Sequence, residues 1–282
     1  MTRKDFVLLA FLILFWGLNW PVMKMSVREF PPLTFRALSI VLGLPVLALL
    51  LRVMKVPMTI PRQHWPELLK LSTFNMFFWH ACIILAVQQL SSGRSAILGY
   101  TMPIFSALAG MLLYGQRLNG RGWLGVGAAG LGVVLLLWHE LTGLAGQPAA
   151  VGLALLAAAT WGLGTQMLRR TTIPLPTLTL SLWMTMLTAV VMVTLAILLE
   201  SDRWRAPAGP VAMAVAFNAV LIFGFAHAAW FSLARGLPPT ASTLSVMFIP
   251  VVGVFSGAWW LGEVLHWQDW TAVGLMVVAI AS

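Results

Sequence analysis

The chain has 282 residues, of which 60% are hydrophobic and only 9% are charged. An average soluble domain carries about 25% charged residues, so this composition excludes an ordinary water-soluble fold. The net charge of +9 does not indicate nucleic-acid binding, because Lys and Arg occur singly or in pairs at the ends of apolar runs rather than as a clustered stripe.

Ten apolar runs follow one another along the chain. They cover residues 5–24, 32–54, 66–89, 93–114, 120–138, 149–168, 175–199, 209–234, 239–262 and 268–282. Each is expected to be helical, because hydrocarbon offers backbone groups no partner outside their own helix. The first run reaches Val22 without a small-residue cleavage site, which favours a retained helix over a signal peptide. We therefore predict an all-α membrane protein with ten transmembrane helices.

Lys and Arg are unevenly distributed between the two sets of loops. With a cytoplasmic N-terminus, the cytoplasmic side holds Arg3, Lys4, Arg52, Lys55, Arg62, Lys70, Arg117, Arg121, Arg169, Arg170 and Arg235, and the other side holds Lys24, Arg28, Arg94, Arg203 and Arg205. Because cytoplasmic loops are enriched in these residues, we predict that both termini are cytoplasmic in a bacterial-type inner membrane.

The second half of the sequence repeats features of the first. A shift of 147 positions superposes His80 on His227 and Pro103 on Pro250. It also superposes Gly110 on Gly257, Gly115 on Gly262 and Trp123 on Trp270. Chance alignment of similar apolar helices is the alternative, but it would rarely match Pro, Gly, Trp and His together. We predict one five-helix repeat at residues 1–140, a linker at 141–148 and a second repeat at 149–282. Because five is odd, the second repeat is inverted, and the two halves enclose a central cavity near mid-depth.

Several short motifs carry a family resemblance over nearly the whole chain. They are Phe15-Trp16-Gly17-Leu18-Asn19-Trp20, Pro32 with Phe35-Arg36, Pro103 with Gly115-Gln116-Arg117-Leu118, Trp161-Gly162, and Pro250 with Leu261-Gly262-Glu263. With these motifs the chain resembles the drug/metabolite transporter superfamily, its EamA-type ten-helix branch, and most closely the YddG-like amino-acid exporters. The resemblance implies export of amino acids or related compounds through a central cavity. The family usually has Glu where this chain has Gln116, which weakens any symmetric role for Gln116 and Glu263.

Polar and aromatic residues at mid-span are the candidates for substrate binding. They are Trp16, Asn19, Trp20, Trp79, His80, Tyr100, Trp161, Thr165, His227 and Trp230. In the first helix Trp16, Asn19, Trp20 and Met23 share one face by their i, i+3, i+4, i+7 spacing. Rigid aromatic walls with a few polar groups are typical of a small-molecule cavity. The alternatives are helix packing for the Trp residues and, for each of the two His residues, a hydrogen bond that caps a free carbonyl of a neighbouring helix.

Three further residues are candidates for gating. Pro103 and Pro250 are expected to break their helices at matched depth and to permit bending. Arg36 lies about a turn from the outer surface, where it is expected to snorkel or to bond carbonyls or Glu29. A role for Arg36 in attracting a carboxylate or closing an outer gate is the alternative.

No acidic residue lies in the middle of a predicted span, which disfavours carboxylate-based ion coupling and a strongly cationic substrate. Cys82 is the single cysteine, and no metal or cofactor motif is present, so none is predicted. The expected function is alternating-access export of amino acids, aromatic ones included, or related metabolites, as a facilitated or proton-coupled carrier. Efflux of aromatic or cationic drugs is the alternative, and an enzyme or a channel is less favoured. The expected partners are a small-molecule substrate and the lipid bilayer, without nucleic acid; a monomer is compatible with the sequence.

Overall fold

The computed structural model describes residues 3–142, 147–227, 229 and 239–281, and its regular structure in these ranges is entirely helical. The α-helices are α1 (Arg3–Glu29), α2 (Pro32–Val53), α3 (Trp65–Ser72), α4 (Phe78–Gln89), α5 (Ser92–Gly99), α6 (Met102–Tyr114), α7 (Gly120–Thr142), α8 (Pro148–Arg169), α9 (Thr177–Glu200), α10 (Gly209–Phe217), α11 (Pro239–Leu261) and α12 (Trp267–Ala281). A π-helical segment, Thr73–Phe77, joins α3 to α4, and a second, Asn218–Ala226, extends α10. The all-α class predicted from the sequence is confirmed for these residues.

Within the described ranges, seven helical stretches are long and apolar enough to cross a membrane. They are Phe6–Glu29, Pro32–Val53, Arg62–Gln89, Ser92–Tyr114, Pro148–Arg169, Thr177–Arg203 and Gly209–Ala226. These coincide with the first four and the sixth to eighth predicted spans. Three shorter apolar helices, Gly120–Leu136, Phe248–Leu261 and Trp267–Ala281, lie where the sequence predicts the fifth, ninth and tenth spans.

Proline marks the start of several helices. Pro32, Pro148 and Pro239 are the first residues of α2, α8 and α11, and Pro103 is the second residue of α6. Proline is favoured there because first-turn amides have no helical partner and its φ is already helical. Pro103 thus belongs to the break between α5 and α6. The expected break at Pro250 is absent, because α11 continues through it; a helix tolerates an interior proline by losing one hydrogen bond and bending.

Two glycines end their helices in the same way. Gly115 follows α6 with φ of 64°, and Gly262 follows α11 with φ of 65°. In both places the amide of the next residue bonds back to a carbonyl in the last turn. Glycine is required because other residues are strained at positive φ. These two positions are 147 residues apart, so they superpose under the shift found in the sequence.

Close helix contacts occur at several glycines, among them Gly17, where α1 packs on α11, and Gly162, where α8 packs on α6. A Cβ atom at Gly17 would lie 2.5 Å from Val252 Cγ1. A Cβ atom at Gly162 would lie 2.6 Å from the backbone nitrogen of Ser106 and 2.8 Å from the carbonyl oxygen of Met102. At both crossings the helices approach each other as closely as glycine allows.

Carboxylates from the second half of the chain bind helix N-termini of the first half. Glu200 accepts hydrogen bonds from the amides of Leu33 (3.1 Å) and Thr34 (2.7 Å) and from the Thr34 hydroxyl (2.7 Å), at the start of α2. Glu263 accepts from the amide (2.7 Å) and the hydroxyl (2.8 Å) of Ser92, at the start of α5. The free amides and the helix dipole favour a carboxylate at these positions.

The two capped N-termini lie at the same end of the molecule, which we call the capped end. There Lys24 Nζ, near the end of α1, donates to the carbonyls of Val87 (3.1 Å) and Gln88 (2.9 Å), near the end of α4. Arg94 Nε in α5 forms an ion pair of 2.8 Å with Asp269 in α12. The capped end is therefore joined by polar bonds between distant parts of the chain.

Candidate functional site

A cavity of about 150 Å³ lies between α1, α2, α4, α5, α6 and α8 and the π-helical segment after α10. Nine of the residues singled out from the sequence line it: Trp16, Asn19, Trp20, Arg36, Trp79, His80, Tyr100, Trp161 and His227. The structure therefore brings together candidates that are up to 211 positions apart in the chain. Their role in binding a substrate stays a prediction.

Three of the candidates that the structure describes do not line this cavity. Thr165 lies one turn beyond Trp161, and its hydroxyl accepts a hydrogen bond of 3.4 Å from Asn75 Nδ2 instead. Pro103 and Pro250 lie in α6 and α11 without contributing to the lining. Trp230 lies outside the residues that the structure describes.

Four lining residues were not among the candidates: Met23, Ile83, Met102 and Ile222. Met23 shares the α1 face already identified by helical spacing. Ile83 follows His80 by three positions in α4, so the same spacing could have identified it. Met102 and Ile222 lie beside a helix break and in a π-helical segment, respectively, where regular helical spacing does not apply.

Aromatic rings form most of the cavity wall. The Trp79 and Trp161 ring centroids are 5.3 Å apart, and the Trp20 and Tyr100 centroids are 6.3 Å apart with planes at 63°. These tilted and edge-to-face arrangements are the favoured geometries for aromatic pairs. A Cβ atom at Gly99 would lie 2.9 Å from Trp20 Cη2 and 3.2 Å from Trp79 Cη2, so this glycine leaves room for both indoles.

Phe223 does not line the cavity, but its ring contacts three polar residues that do. Its ring centroid is 5.2 Å from that of His80 and 5.4 Å from that of His227, with which it is nearly parallel at 14°. The guanidinium carbon of Arg36 lies 5.8 Å from the same centroid. Phe223 is fully buried, so these three nitrogen-bearing side chains pack around a ring that solvent does not reach.

The two histidines differ in their hydrogen bonds. His227 Nδ1 donates to the carbonyl oxygen of Ile222 at 2.8 Å, and this carbonyl lies in the π-helical segment. This bond lies within the helix of His227 itself, and the same carbonyl also accepts the His227 backbone amide, so it is not a cap on a free carbonyl of a neighbouring helix. Neither ring nitrogen of His80 has a hydrogen-bond partner among the described residues, although its side chain is buried. The capping interpretation does not describe His80.

Arg36 is buried, with 2% of its surface exposed, so the expected snorkelling is wrong. The reason is that Arg36 lies on the face of α2 that packs against the π-helical segment after α10. Its Nη2 donates to Met23 Sδ at 2.6 Å, and its Nε has no hydrogen-bond partner among the described residues. Asn19 Oδ1, in α1, is likewise buried without a hydrogen-bond donor among them. Among the described residues lining the cavity there is one guanidinium and there are two imidazoles, but no carboxylate.

Comparison with known proteins shows one family over almost the whole chain. The sequence model of the EamA-like transporter family matches residues 5–138 and, a second time, residues 148–282. In the described part of the chain, no group of three or more His, Cys, Asp or Glu residues is placed to hold a metal ion.

Individual relatives are similar at low identity. The transporter YoaV of Bacillus subtilis (strain 168) is 25% identical over 88% of this chain and 85% of its own length. The inner membrane transporter YedA of Escherichia coli (strain K12) is 27% identical over 95% of this chain and 87% of its own length. A probable amino-acid metabolite efflux pump of Escherichia coli (strain K12) is 28% identical over 58% of this chain and 53% of its own length. A protein crystal structure with 21% identity superposes with a TM-score of 0.70, covering 100% of this chain and 98% of the other, which shows a shared fold.

Proposed function

Because the chain belongs to the EamA-like transporter family, we propose that this inner-membrane transporter exports amino acids, aromatic ones included, or related small metabolites. The observation that carries the proposal is the cavity, with four indoles in its wall and buried polar atoms of Asn19, Arg36 and His80 that have no partner among the described residues. Buried polar groups are normally hydrogen-bonded, so these atoms are suited to a bound solute. The relative named as an amino-acid metabolite efflux pump is consistent with this choice.

We further propose that residues 1–140 and 149–282 form two inverted five-helix repeats, joined at 141–148. The double match of the family model supports this proposal. So do the close contacts of Gly17 and Gly162: Gly17 meets Val252 and the carbonyl of Ile249, and Gly162 meets the backbone of Phe105 and Met102. The two contacted pairs are 147 positions apart, so each half contributes the same contact to the other. The matched left-handed glycines and the π-helical segments before His80 and His227 give further support.

Transport is proposed to proceed by alternating access, with the two halves rocking around the cavity. At the capped end, Glu200, Glu263 and Asp269 of the second half hold α2 and α5 of the first half. Opening on that side requires these bonds to separate. With cytoplasmic termini, the capped end faces the periplasm. Bending at Pro103 and Pro250 is proposed to accompany the rocking.

The alternative substrate class is aromatic or cationic drugs, which the indole walls could stack against. A cavity that contains Arg36 and no carboxylate favours zwitterionic over cationic solutes, because like charges repel at short distance. Proteoliposomes with the purified chain test the two classes. We expect counterflow of labelled amino acids that is saturable and is competed by other amino acids. Counterflow of planar cations without any amino-acid exchange would refute the proposal, and non-saturable flux would indicate a channel.

A further inference from the structure

A buried cation without a counter-anion faces the cavity. Only 2% of the Arg36 surface is exposed, and none of the described residues lining the cavity is acidic. Arginine stays protonated in proteins. Burial of a charge without a paired anion is unfavourable, so such charges are normally paired. Arg94, at the capped end, illustrates the usual arrangement, with Asp269 at 2.8 Å.

The contacts that Arg36 does make are weak ones. Its Nη2 donates to the thioether sulfur of Met23, which is a poor acceptor, and its guanidinium lies 5.8 Å from the Phe223 centroid. Both contacts orient the guanidinium without neutralising it. The Nε hydrogen has no acceptor in the part of the protein that the structure describes.

We infer that Arg36 binds the carboxylate of the transported solute, and that the cavity therefore selects metabolites with a single carboxylate group. The guanidinium fork matches a carboxylate in a bidentate, charge-assisted geometry. One buried guanidinium balances one negative charge, so a monoanionic group fits better than a phosphate dianion. This inference rests on the proposed transport function and names the group that the site recognises.

A second unpartnered group, on Asn19, complements the ammonium end of an α-amino acid. Asn19 Oδ1 is a buried acceptor without a donor, which an ammonium group supplies. The faces of the surrounding indoles attract a cation as well. The cavity volume of about 150 Å³ is below the range of about 300–1,000 Å³ typical of drug-sized ligands, which favours a small metabolite.

Competition in proteoliposomes tests this inference with the wild-type chain. Counterflow of labelled L-alanine and L-phenylalanine is measured against the unlabelled acids, their amides and inorganic phosphate. We expect each acid to compete about tenfold or more better than its amide, since a charged hydrogen bond is lost in the amide. Equal competition by acid and amide would overturn the role of Arg36 while leaving amino-acid transport intact. Stronger competition by phosphate would overturn the choice of carboxylate.

Variants give a second, independent measurement. We expect Arg36→Gln to lose the discrimination between acid and amide, and Arg36→Lys to keep part of it. Arg52→Gln, at the exposed end of the same helix, is the matched control and should behave as wild type. Melting temperatures in detergent with the same solutes report binding without transport. One outcome separates the two proposals: no amino acid is exchanged, but the acids, unlike the amides, raise the melting temperature of wild type and not of Arg36→Gln. Amino-acid transport would then be refuted, whereas carboxylate binding by Arg36 would stand. Equal stabilisation by acids and amides would refute carboxylate binding.

Discussion

Gly162→Ala tests the close crossing of α6 and α8. The added methyl group would lie 2.6 Å from the Ser106 nitrogen and 2.8 Å from the Met102 carbonyl oxygen. Both are backbone atoms, so no side chain can rotate away. To restore an ordinary contact of 3.4 Å the two helices must separate by about 0.8 Å at this point.

The cost of this separation follows from the packing of two rigid helices. Inserting a methyl group into a well-packed core costs about 1–3 kcal/mol. Replacement of a helical glycine by alanine returns about 1 kcal/mol through helix propensity. Gly152→Ala in the same helix gains the propensity term alone, because nothing lies within 4 Å of its Cβ position. The difference between the two variants therefore isolates the clash.

Thermal unfolding of both variants in the same detergent provides the measurement. We expect Gly162→Ala to melt about 4–8 °C below Gly152→Ala, for a clash of about 2 kcal/mol. Transport by Gly162→Ala should also fall, because Trp161 and Met102 line the cavity on either side of the crossing. Equal melting temperatures for the two variants would refute the close approach of α6 and α8.

Three further predictions concern the capped end, the histidine and the driving force. Glu200→Gln should lower the melting temperature by several degrees, because the Glu200 carboxylate accepts three hydrogen bonds from α2. Asp202→Asn, at an exposed position, is the control and should leave the melting temperature unchanged. Equal shifts in the two variants would contradict the cap. His80→Ala should reduce transport. The folded yield should stay near normal, because His80 makes no side-chain hydrogen bond with the described residues that the substitution could remove. Full activity in liposomes would remove His80 from the site. An imposed pH gradient should change downhill flux only modestly, because no carboxylate lines the described cavity; concentrative uptake driven by that gradient would show proton coupling.

Much of the helical fold could be predicted from hydrophobicity alone. The seven long spans match predicted runs because a bilayer demands continuous apolar helices. The π-helical segments could not be predicted, since they lie within apolar spans and hydrophobicity averaged over a span does not distinguish π-helical from α-helical winding. The break before α6 was expected at Pro103, but the helix ends at Gly99, because proline prefers the first turn of the next helix.

The cavity was predictable where residues lie on a regular helix face, and less so elsewhere. Trp16, Asn19 and Trp20 follow from spacing along α1. Thr165 has the correct spacing from Trp161, but the close contact of Gly164 with Asn75 brings this part of α8 against the π-helical segment, where Asn75 bonds the Thr165 hydroxyl. A contact of this kind depends on tertiary packing, which helical spacing does not encode.

The caps that Glu200 and Glu263 place on α2 and α5 bear on the energetics of the transport cycle. When the capped end separates, water can solvate both the carboxylates and the exposed helix amides, so each lost bond is replaced by hydration. The net cost of opening is therefore smaller than the strength of these bonds in the closed protein. In the proposed downhill mode no ion gradient resets the gate, so the cycle requires a closed state whose bonds can be replaced in this way.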